Sequence, residues 1–434
     1  MKGFKRLIII YLSVFLITTL IGSILLYIPW SGKTHISFID SFFLATSAFT
    51  VTGLSTVDMP QTFNGLGEMV ILILIQIGGL GIITVMLFAF AITQRHISLQ
   101  SRSLLMITWN EDQSGGVVRM LYQLIIYSLV VEFFGFLFLM LTFVPEYGLA
   151  KGSFISLFTS VSAFNNAGFS LFSDSLMPFV SDPIVNIVVS LLIILGGLGP
   201  LVVFNLATTK RFSKLTLHTK VVLTMTGVLI LIGTFFYFVL KYSNTLEGMG
   251  LPEKLLASLF QSVSTRTAGF NTIDMGALNS PTYLITFILM FIGAAPISSA
   301  GGIKVTSFAL ILLFMWSTIN GTKRPHMFKR TINQNVINKA LLIGMSSLFL
   351  IFTMTILVAS FEPKFNLMQI MFEIVSAFGT VGLSTGITPD LTLPSKILII
   401  ILMIIGKIGI LTFLNLLKEP QNNQYYYSEG KLHL

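Results

Sequence analysis

The chain has 434 residues, 54% of them hydrophobic and only 10% charged, with a mean hydropathy of +0.88 and a formal net charge of +9. This composition excludes a soluble globular protein. The absence of cysteine excludes disulfides, thiolate metal sites and cysteine nucleophiles.

Apolar runs of about 20 residues match a hydrocarbon core roughly 30 Å thick. They predict eight full spans, at about 7–29, 69–92, 119–144, 184–209, 218–241, 282–319, 335–360 and 393–417. The first is too long for a removed signal peptide and has no small-residue cleavage pattern. Between the first and second spans lies a shorter segment, 37–49, running into Ser47-Ala48-Phe49-Thr50-Val51-Thr52-Gly53-Leu54-Ser55. The next pair encloses 152–164 and Ser162-Ala163-Phe164-Asn165-Asn166-Ala167-Gly168-Phe169-Ser170. The third encloses 252–263 and Val263-Ser264-Thr265-Arg266-Thr267-Ala268-Gly269-Phe270-Asn271. The fourth encloses 364–378 and Ser376-Ala377-Phe378-Gly379-Thr380-Val381-Gly382-Leu383-Ser384.

Each short segment is too short to cross a bilayer and reads as a re-entrant helix. Ser153 is a candidate cap for the second, and Pro252 suits the first turn of the third. The second span of each pair repeats as well: Ile77-Gly78-Gly79-Leu80-Gly81, Leu195-Gly196-Gly197-Leu198-Gly199, Ile292-Gly293-Ala294-Ala295-Pro296 and Ile405-Gly406-Lys407-Ile408-Gly409. These small residues follow the loop glycines by 25, 28, 24 and 24 residues, which permits close helix packing in register.

Every unit has an even number of crossings, so all four face the same way; inverted repeats need an odd number. The predicted fold is an all-α membrane protein of four parallel span–re-entrant pore helix–span repeats, eight full spans in all, around a central pore with pseudo-fourfold symmetry. The repeats fall at 1–92, 119–209, 210–319 and 335–417, with cytoplasmic linkers 93–118 and 320–334 and a cytoplasmic tail 418–434. Seventeen lysines and arginines lie on the side of the termini against four carboxylates, Glu111, Asp112, Glu419 and Glu429; the other side has seven against twelve. Both termini are therefore expected in the cytoplasm. The surplus charge reflects topology and anionic lipid rather than nucleic acid.

Non-helical backbone survives at membrane depth only when buried in protein or lining water. Four glycine-centred loops around one axis thus predict a cation filter built from carbonyl oxygens, with the negative ends of the short helices turned inward. The oxygens would come from Thr50, Val51, Thr52 and Gly53; Asn165, Asn166, Ala167 and Gly168; Thr267, Ala268 and Gly269; and Gly379, Thr380, Val381 and Gly382. Thr52, Asn166, Thr267 and Thr380 are candidates to support the loops.

These loops, the Ser264-Thr265-Arg266-Thr267-Ala268-Gly269-Phe270-Asn271-Thr272 string and the registered second spans resemble the Trk/Ktr/HKT superfamily of potassium transporters over nearly the whole chain. Eight spans without an extra N-terminal pair resemble a bacterial Ktr-type membrane subunit. The resemblance implies one selectivity-filter glycine per repeat, and a full set resembles the potassium-selective members. It also implies a multi-pass cell-membrane protein, a membrane homodimer, and a cytosolic nucleotide-binding ring docked on the basic inner loops 95–119, 210–220 and 323–330 and the tail 418–434. Potassium is the cargo, sodium activation is implied, and no organic cofactor is expected.

In the sixth span, Pro296 and the pair Gly301-Gly302 predict a broken helix with an irregular insert at about 293–305. The resemblance implies an intramembrane gate there, involving Ala300, Gly301, Gly302, Lys304 and Lys407; the plainer reading is a kink. Lys304 either acts at the lower end of the insert or snorkels to the inner face. Lys407 stands where the family usually has arginine, and Gly409-Ile410 replaces its Gly-Pro.

Glu132, the one carboxylate inside a span, either pairs with Lys304 or Lys407 or makes a structural hydrogen bond. Arg266 is expected to brace the third loop against a carboxylate. Asp58, Asp174, Asp274 and Asp390 either concentrate cations at the outer mouth or form a solvated rim. No pair of the five histidines has metal-ligand spacing, and no phosphate loop, dinucleotide fingerprint or nucleophile constellation occurs. The expected function is a potassium-selective, channel-like uptake transporter and not an enzyme; the alternative is a sodium-permeable or cation/proton-symporting relative.

Overall fold

The computed structural model describes residues 2–81, 117–241, 245–296, 298–322 and 324–417. The end of the predicted span 69–92, nearly all of the linker 93–118, Lys323 and the tail 418–434 lie outside these residues. Among the described residues the chain is helical apart from loops and one small hairpin, His326–Met327 paired with Arg330–Thr331. Phe328 and Lys329 turn that hairpin at φ 48° and 63°.

The helices fall into four units. The first holds α1 (Lys2–Tyr27), α2 (Phe38–Thr50) and α3 (Gly65–Leu80). The second holds α4 (Val117–Tyr147), α5 (Leu149–Phe164), α6 (Pro183–Leu198) and α7 (Pro200–Thr208). The third holds α8 (Leu217–Lys241), α9 (Leu251–Ser264), α10 (Ser280–Phe291) and α11 (Val305–Ile319). The fourth holds α12 (Gln334–Phe361), α13 (Leu367–Gly379), α14 (Leu393–Ile408) and α15 (Ile410–Leu417).

The leading helix of each unit, α1, α4, α8 and α12, is long and apolar enough to cross a membrane. Residues such as Leu231 and Phe349 leave these helices exposed, as a hydrocarbon-facing surface requires. The other four predicted spans are not continuous helices. α6 and α7 meet at a bend of 95° at Gly199, α14 and α15 part at Gly409, and α3 ends at Gly81. The three glycines have φ of 73°, 88° and 83°, in the left-handed half of backbone space, where an α-helix cannot continue. In the third unit the break widens to residues 292–304.

The short helices α2, α5, α9 and α13 run 13 to 16 residues, well short of a span. Ser37 caps α2 by accepting the Asp40 N–H, and Asn366 with Gln369 forms a capping box on α13. Pro252 lies in the first turn of α9 as predicted. Ser153 caps nothing, because α5 begins at Leu149 and takes Ser153 into its interior. The C-terminal stretches are buried; in α2 every residue from Phe43 to Thr50 is.

Each broken helix packs on the short helix of the next unit: α3 on α5, α6 on α9, α10 on α13, and α14 back on α2. The series therefore closes on itself. Within units the repeated small residues decide the approach. A methyl group on Gly78 would meet the Phe49 carbonyl oxygen at 1.9 Å, one on Gly196 the Phe164 oxygen at 1.8 Å, and one on Gly406 the Phe378 oxygen at 2.1 Å. The Phe of each Ser-Ala-Phe, at or one residue before the end of its short helix, thus sets its carbonyl against a glycine of the broken one.

Candidate ion-conduction site

Three of the four loops leave their short helix in the same way. Thr52 N–H donates to Ser47 O (2.8 Å), Ala167 N–H to Ser162 O (2.8 Å) and Val381 N–H to Ser376 O (2.8 Å). Each is accompanied by a bond that spans fewer residues, from Val51 to Ala48 O (3.1 Å), Asn166 to Ala163 O (3.1 Å) and Thr380 to Ala377 O (3.2 Å). This paired closure is the Schellman arrangement, which normally employs glycine at the left-handed position. Here Val51, Asn166 and Thr380 occupy it, at φ 59°, 59° and 48°. The third loop closes differently: Ser264 O receives both the Ala268 and the Gly269 N–H, and Thr267 takes the left-handed turn at φ 69°.

All four loops therefore carry positive φ at the glycine and again two residues earlier. A β-branched residue held in this region is strained by about 1–3 kcal/mol, and three of the four earlier positions hold one.

The four glycines meet. A methyl on Gly53 would come within 2.4 Å of Ala167 O, one on Gly168 within 2.7 Å of Ala268 O, one on Gly269 within 2.4 Å of Val381 O, and one on Gly382 within 2.0 Å of Thr52 O. The contacts run from unit one to two, three, four and back to one, a closed ring with a carbonyl oxygen lying against each glycine. Any Cβ here would intrude among the oxygens, which is the requirement for glycine.

Hydroxyls brace the ring in two ways. Ser47 Oγ accepts the Gly53 N–H (3.1 Å) and Ser376 Oγ the Gly382 N–H (3.0 Å). Ser162 instead donates to Phe169 O, and Ser264 to Phe270 O. Sequence reasoning names none of these serines as a functional residue; for Ser47, Ser162 and Ser376 the recurring Ser-Ala-Phe is the visible signal, whereas Ser264 stands in no such motif. Of the expected supports, Thr52 Oγ1 bonds Thr50 Oγ1 (2.7 Å). The Asn166 amide, oriented to satisfy its neighbours, donates to Phe164 O (3.2 Å) and Ile193 O (3.3 Å). Thr380 turns away from its own loop, toward the insert.

Residues 292–296 and 298–304 of the insert lie between α10 and α11. Gly293 N–H to Ile303 O (2.8 Å) closes its base, and Ala295 N–H reaches Gly197 O of the second unit (3.0 Å). Its far side meets the fourth unit. Gly301 N–H donates to Thr380 Oγ1 (2.9 Å), and Lys407 Nζ donates to Ser299 O (2.6 Å). Lys304 Nζ bonds Ala300 O within the insert, and Ala300 itself is buried. Gly301 and Gly302 are there for close approach: a methyl on Gly301 would lie 2.3 Å from Thr380 Oγ1, and one on Gly302 3.2 Å from the Gly379 Cα.

Beneath this arrangement lies a cavity of about 160 Å³. Ser299, Ala300, Gly302 and both lysines line it, together with the helix breaks at Gly81, Pro200 and Gly409. Residues 298–300 and 302 of the insert thus form part of the wall of a chamber of mixed polarity.

One sequence expectation changes, and one that was left open is decided. Arg266 does not meet a carboxylate among the described residues; its guanidinium is buried and donates to Thr226 Oγ1 at 3.4 Å. Glu132 pairs with neither lysine: Ser128, Gln76 and Asn165 surround it. Asp174, Asp274 and Asp390 are exposed on the connections after the ring, and Asp58 is half-buried. The one ion pair among the described residues, Lys396 to Asp40 at 2.8 Å, fastens the start of α14 to the start of α2.

The sequence profile of the TrkH family, described as cation transport protein, matches residues 7–425. The chain is 42% identical to the Ktr system potassium uptake protein B of Bacillus subtilis, over 96% of this chain and 94% of that protein. It is 40% identical to the Ktr system potassium uptake protein B of Vibrio alginolyticus, over 97% and 93%. The potassium/sodium uptake protein NtpJ of Enterococcus hirae is 39% identical, over 97% and 95%. The crystal structure of the potassium transporter TrkH from Vibrio parahaemolyticus shares the fold, with a TM-score of 0.77 at 17% identity, over 95% of this chain and 84% of that one.

Proposed function

This chain belongs to the TrkH family of cation transport proteins, and from that premise we propose that it is the potassium-conducting subunit of a Ktr-type uptake system. It is a multi-pass membrane transporter and no enzyme. The observation that carries the reading is the closed ring of Gly53, Gly168, Gly269 and Gly382, each against a neighbour's carbonyl oxygen. A potassium ion sheds its water into such a ring, where Thr52, Ala167, Ala268 and Val381 supply oxygens and the helix ends behind them supply negative potential. The four units act as parallel repeats about one pore, with both termini in the cytoplasm. An inside-negative potential of about 100 mV supplies roughly 2.3 kcal/mol per charge, so the chain needs no fuel of its own.

The insert acts as the gate below the ring. Lys407 holds it closed through Ser299 and places a positive charge in the ion's path. The cytosolic partner is a nucleotide-binding ring that docks on the basic inner connections of a membrane homodimer, and sodium activates the assembly.

The test is potassium and sodium flux into proteoliposomes of this chain, alone and with its cytosolic partner, under an imposed inside-negative potential. Potassium entry well above sodium entry is expected. Equal entry in both preparations overturns potassium selectivity and favours the sodium-permeable reading, which the name of the Enterococcus hirae relative keeps in view.

A further inference from the structure

Behind the second loop lies a buried carboxylate that the filter does not need as a ligand. Glu132, on α4, is only 5% exposed. Its Oε1 accepts from Ser128 Oγ (2.8 Å), Gln76 Nε2 (3.1 Å) and Asn165 Nδ2 (3.1 Å), and its Oε2 from the same Gln76 nitrogen (3.1 Å). Asn165 Nδ2 also reaches Gln76 Oε1 at 2.9 Å and Val161 O at 2.9 Å. Each of these groups can donate to the carboxylate, Asn165 sharing its two N–H among three acceptors, which suits an ionised acid. Ser160 Oγ adds a bond to the Glu132 backbone oxygen (2.7 Å), tying α5 to α4 at the same level.

The network connects three parts of the pore. Gln76 belongs to α3 of the first unit, two residues before the glycine that packs on Phe49. Glu132 belongs to the leading helix of the second unit. Asn165 is the residue at which α5 gives way to the second loop, three positions before Gly168. There is no slack on the far side, since a methyl on Gly79 would fall 1.9 Å from Asn165 Oδ1. The second loop also needs this support more than the first and fourth. Those two have a serine hydroxyl receiving the glycine N–H, whereas Ser162 gives its proton to Phe169 O.

We propose that ionised Glu132 and Gln76 are positioning residues that fix the second loop and so help to set discrimination between potassium and sodium, without touching the ion. The proposal rests on the filter reading above. Glu132→Gln is nearly isosteric but presents an amide to groups arranged to donate. Glu132→Asp keeps the charge at a shorter reach, and Gln76→Met keeps bulk while removing both amide contacts.

The experiment measures potassium-to-sodium flux ratios and potassium half-saturation in proteoliposomes for the wild type, these three variants and Gly53→Ser as the filter control. Glu132→Gln and Gln76→Met are each expected to lower the ratio about tenfold and raise half-saturation, while maximal flux changes less; Glu132→Asp recovers much of the ratio. If Glu132→Gln does not assemble, Gln76→Met carries the test. An unchanged ratio in the assembled variants, with Gly53→Ser lowering it, overturns the proposal and leaves the filter standing. An unchanged ratio in Gly53→Ser as well overturns both. Potassium entry driven by a proton gradient and abolished by Glu132→Gln would make the carboxylate a proton carrier, contrary to its donor-filled surroundings.

Discussion

The glycine ring and the insert beneath it are both irregular backbone at the centre of an apolar protein, and they are held in opposite ways. Each filter loop is closed mainly by its own helix: the N–H groups following the helix return to its last carbonyls, and in two loops a serine of the same helix receives the glycine N–H. The insert has backbone closure at its base, short side-chain bonds from Ser298 and Lys304 within it, and one backbone bond from Ala295 to Gly197. Its far side is held by groups remote in sequence, Thr380 and Lys407, through one hydroxyl and one long flexible chain. Local backbone closure yields a shape that persists once the helix forms. Attachment by a few remote side chains yields a segment that can be released without unfolding its neighbours. The contrast fits a fixed selector above a movable barrier.

Three substitutions and one deletion would break or sharpen this contrast, and ion flux in proteoliposomes reads all of them. The largest effect is expected from Gly53→Ser, whose side chain would press on Ala167 O and disturb the ring. The potassium-to-sodium ratio should fall at least about tenfold, or 1.4 kcal/mol, with the protein still assembled; an unaltered ratio would sink the filter assignment. Removing residues 300–302 should come next, raising flux several-fold at an unchanged ratio if the insert is the barrier. Unchanged flux would leave it a structural kink.

Lys407→Met should act in the same direction but less, by removing one charge-assisted hydrogen bond of about 1.5–3 kcal/mol to Ser299 O. A lowered flux would instead assign the lysine to supporting the open pore. The smallest change is expected from Ser47→Ala, which withdraws one acceptor from the Gly53 N–H, about 1 kcal/mol. It should reduce the ion ratio a few-fold and leave maximal flux nearly intact. A flux change without a ratio change would contradict the division between selector and barrier.

Much of the fold was legible from the sequence because its signals are local. The four short helices fall close to their predicted limits; α9 begins at Leu251 against a prediction of 252. The recurrence of Gly53, Gly168, Gly269 and Gly382 marked the ring, and Pro296 with Gly301 and Gly302 marked the insert. Continuous second spans were not found at Gly199 and Gly409, although both glycines were in view, because hydropathy follows apolar runs and is blind to φ. The left-handed turns at Val51, Thr267 and Thr380 carried no signal at all. β-branched residues seldom take that conformation, and only the surrounding closure of the helix end holds them there.

Partner choice was the part the sequence left undecided. Glu132 was as consistent with Lys304 or Lys407 as with a neutral network, and Arg266 was matched in expectation to a carboxylate it does not meet. The sequence by itself determined the apolar class, the recurrence of the short glycine loops and the glycines a crowded ring requires. Each of these depends on residues near one another in the chain or on composition. The tertiary structure alone decided that Gln76 meets Glu132 from 56 residues away and that Lys407 holds Ser299 from 108 away. Side chains with several possible partners are assigned by which helix faces pack together, and that packing depends on the whole chain.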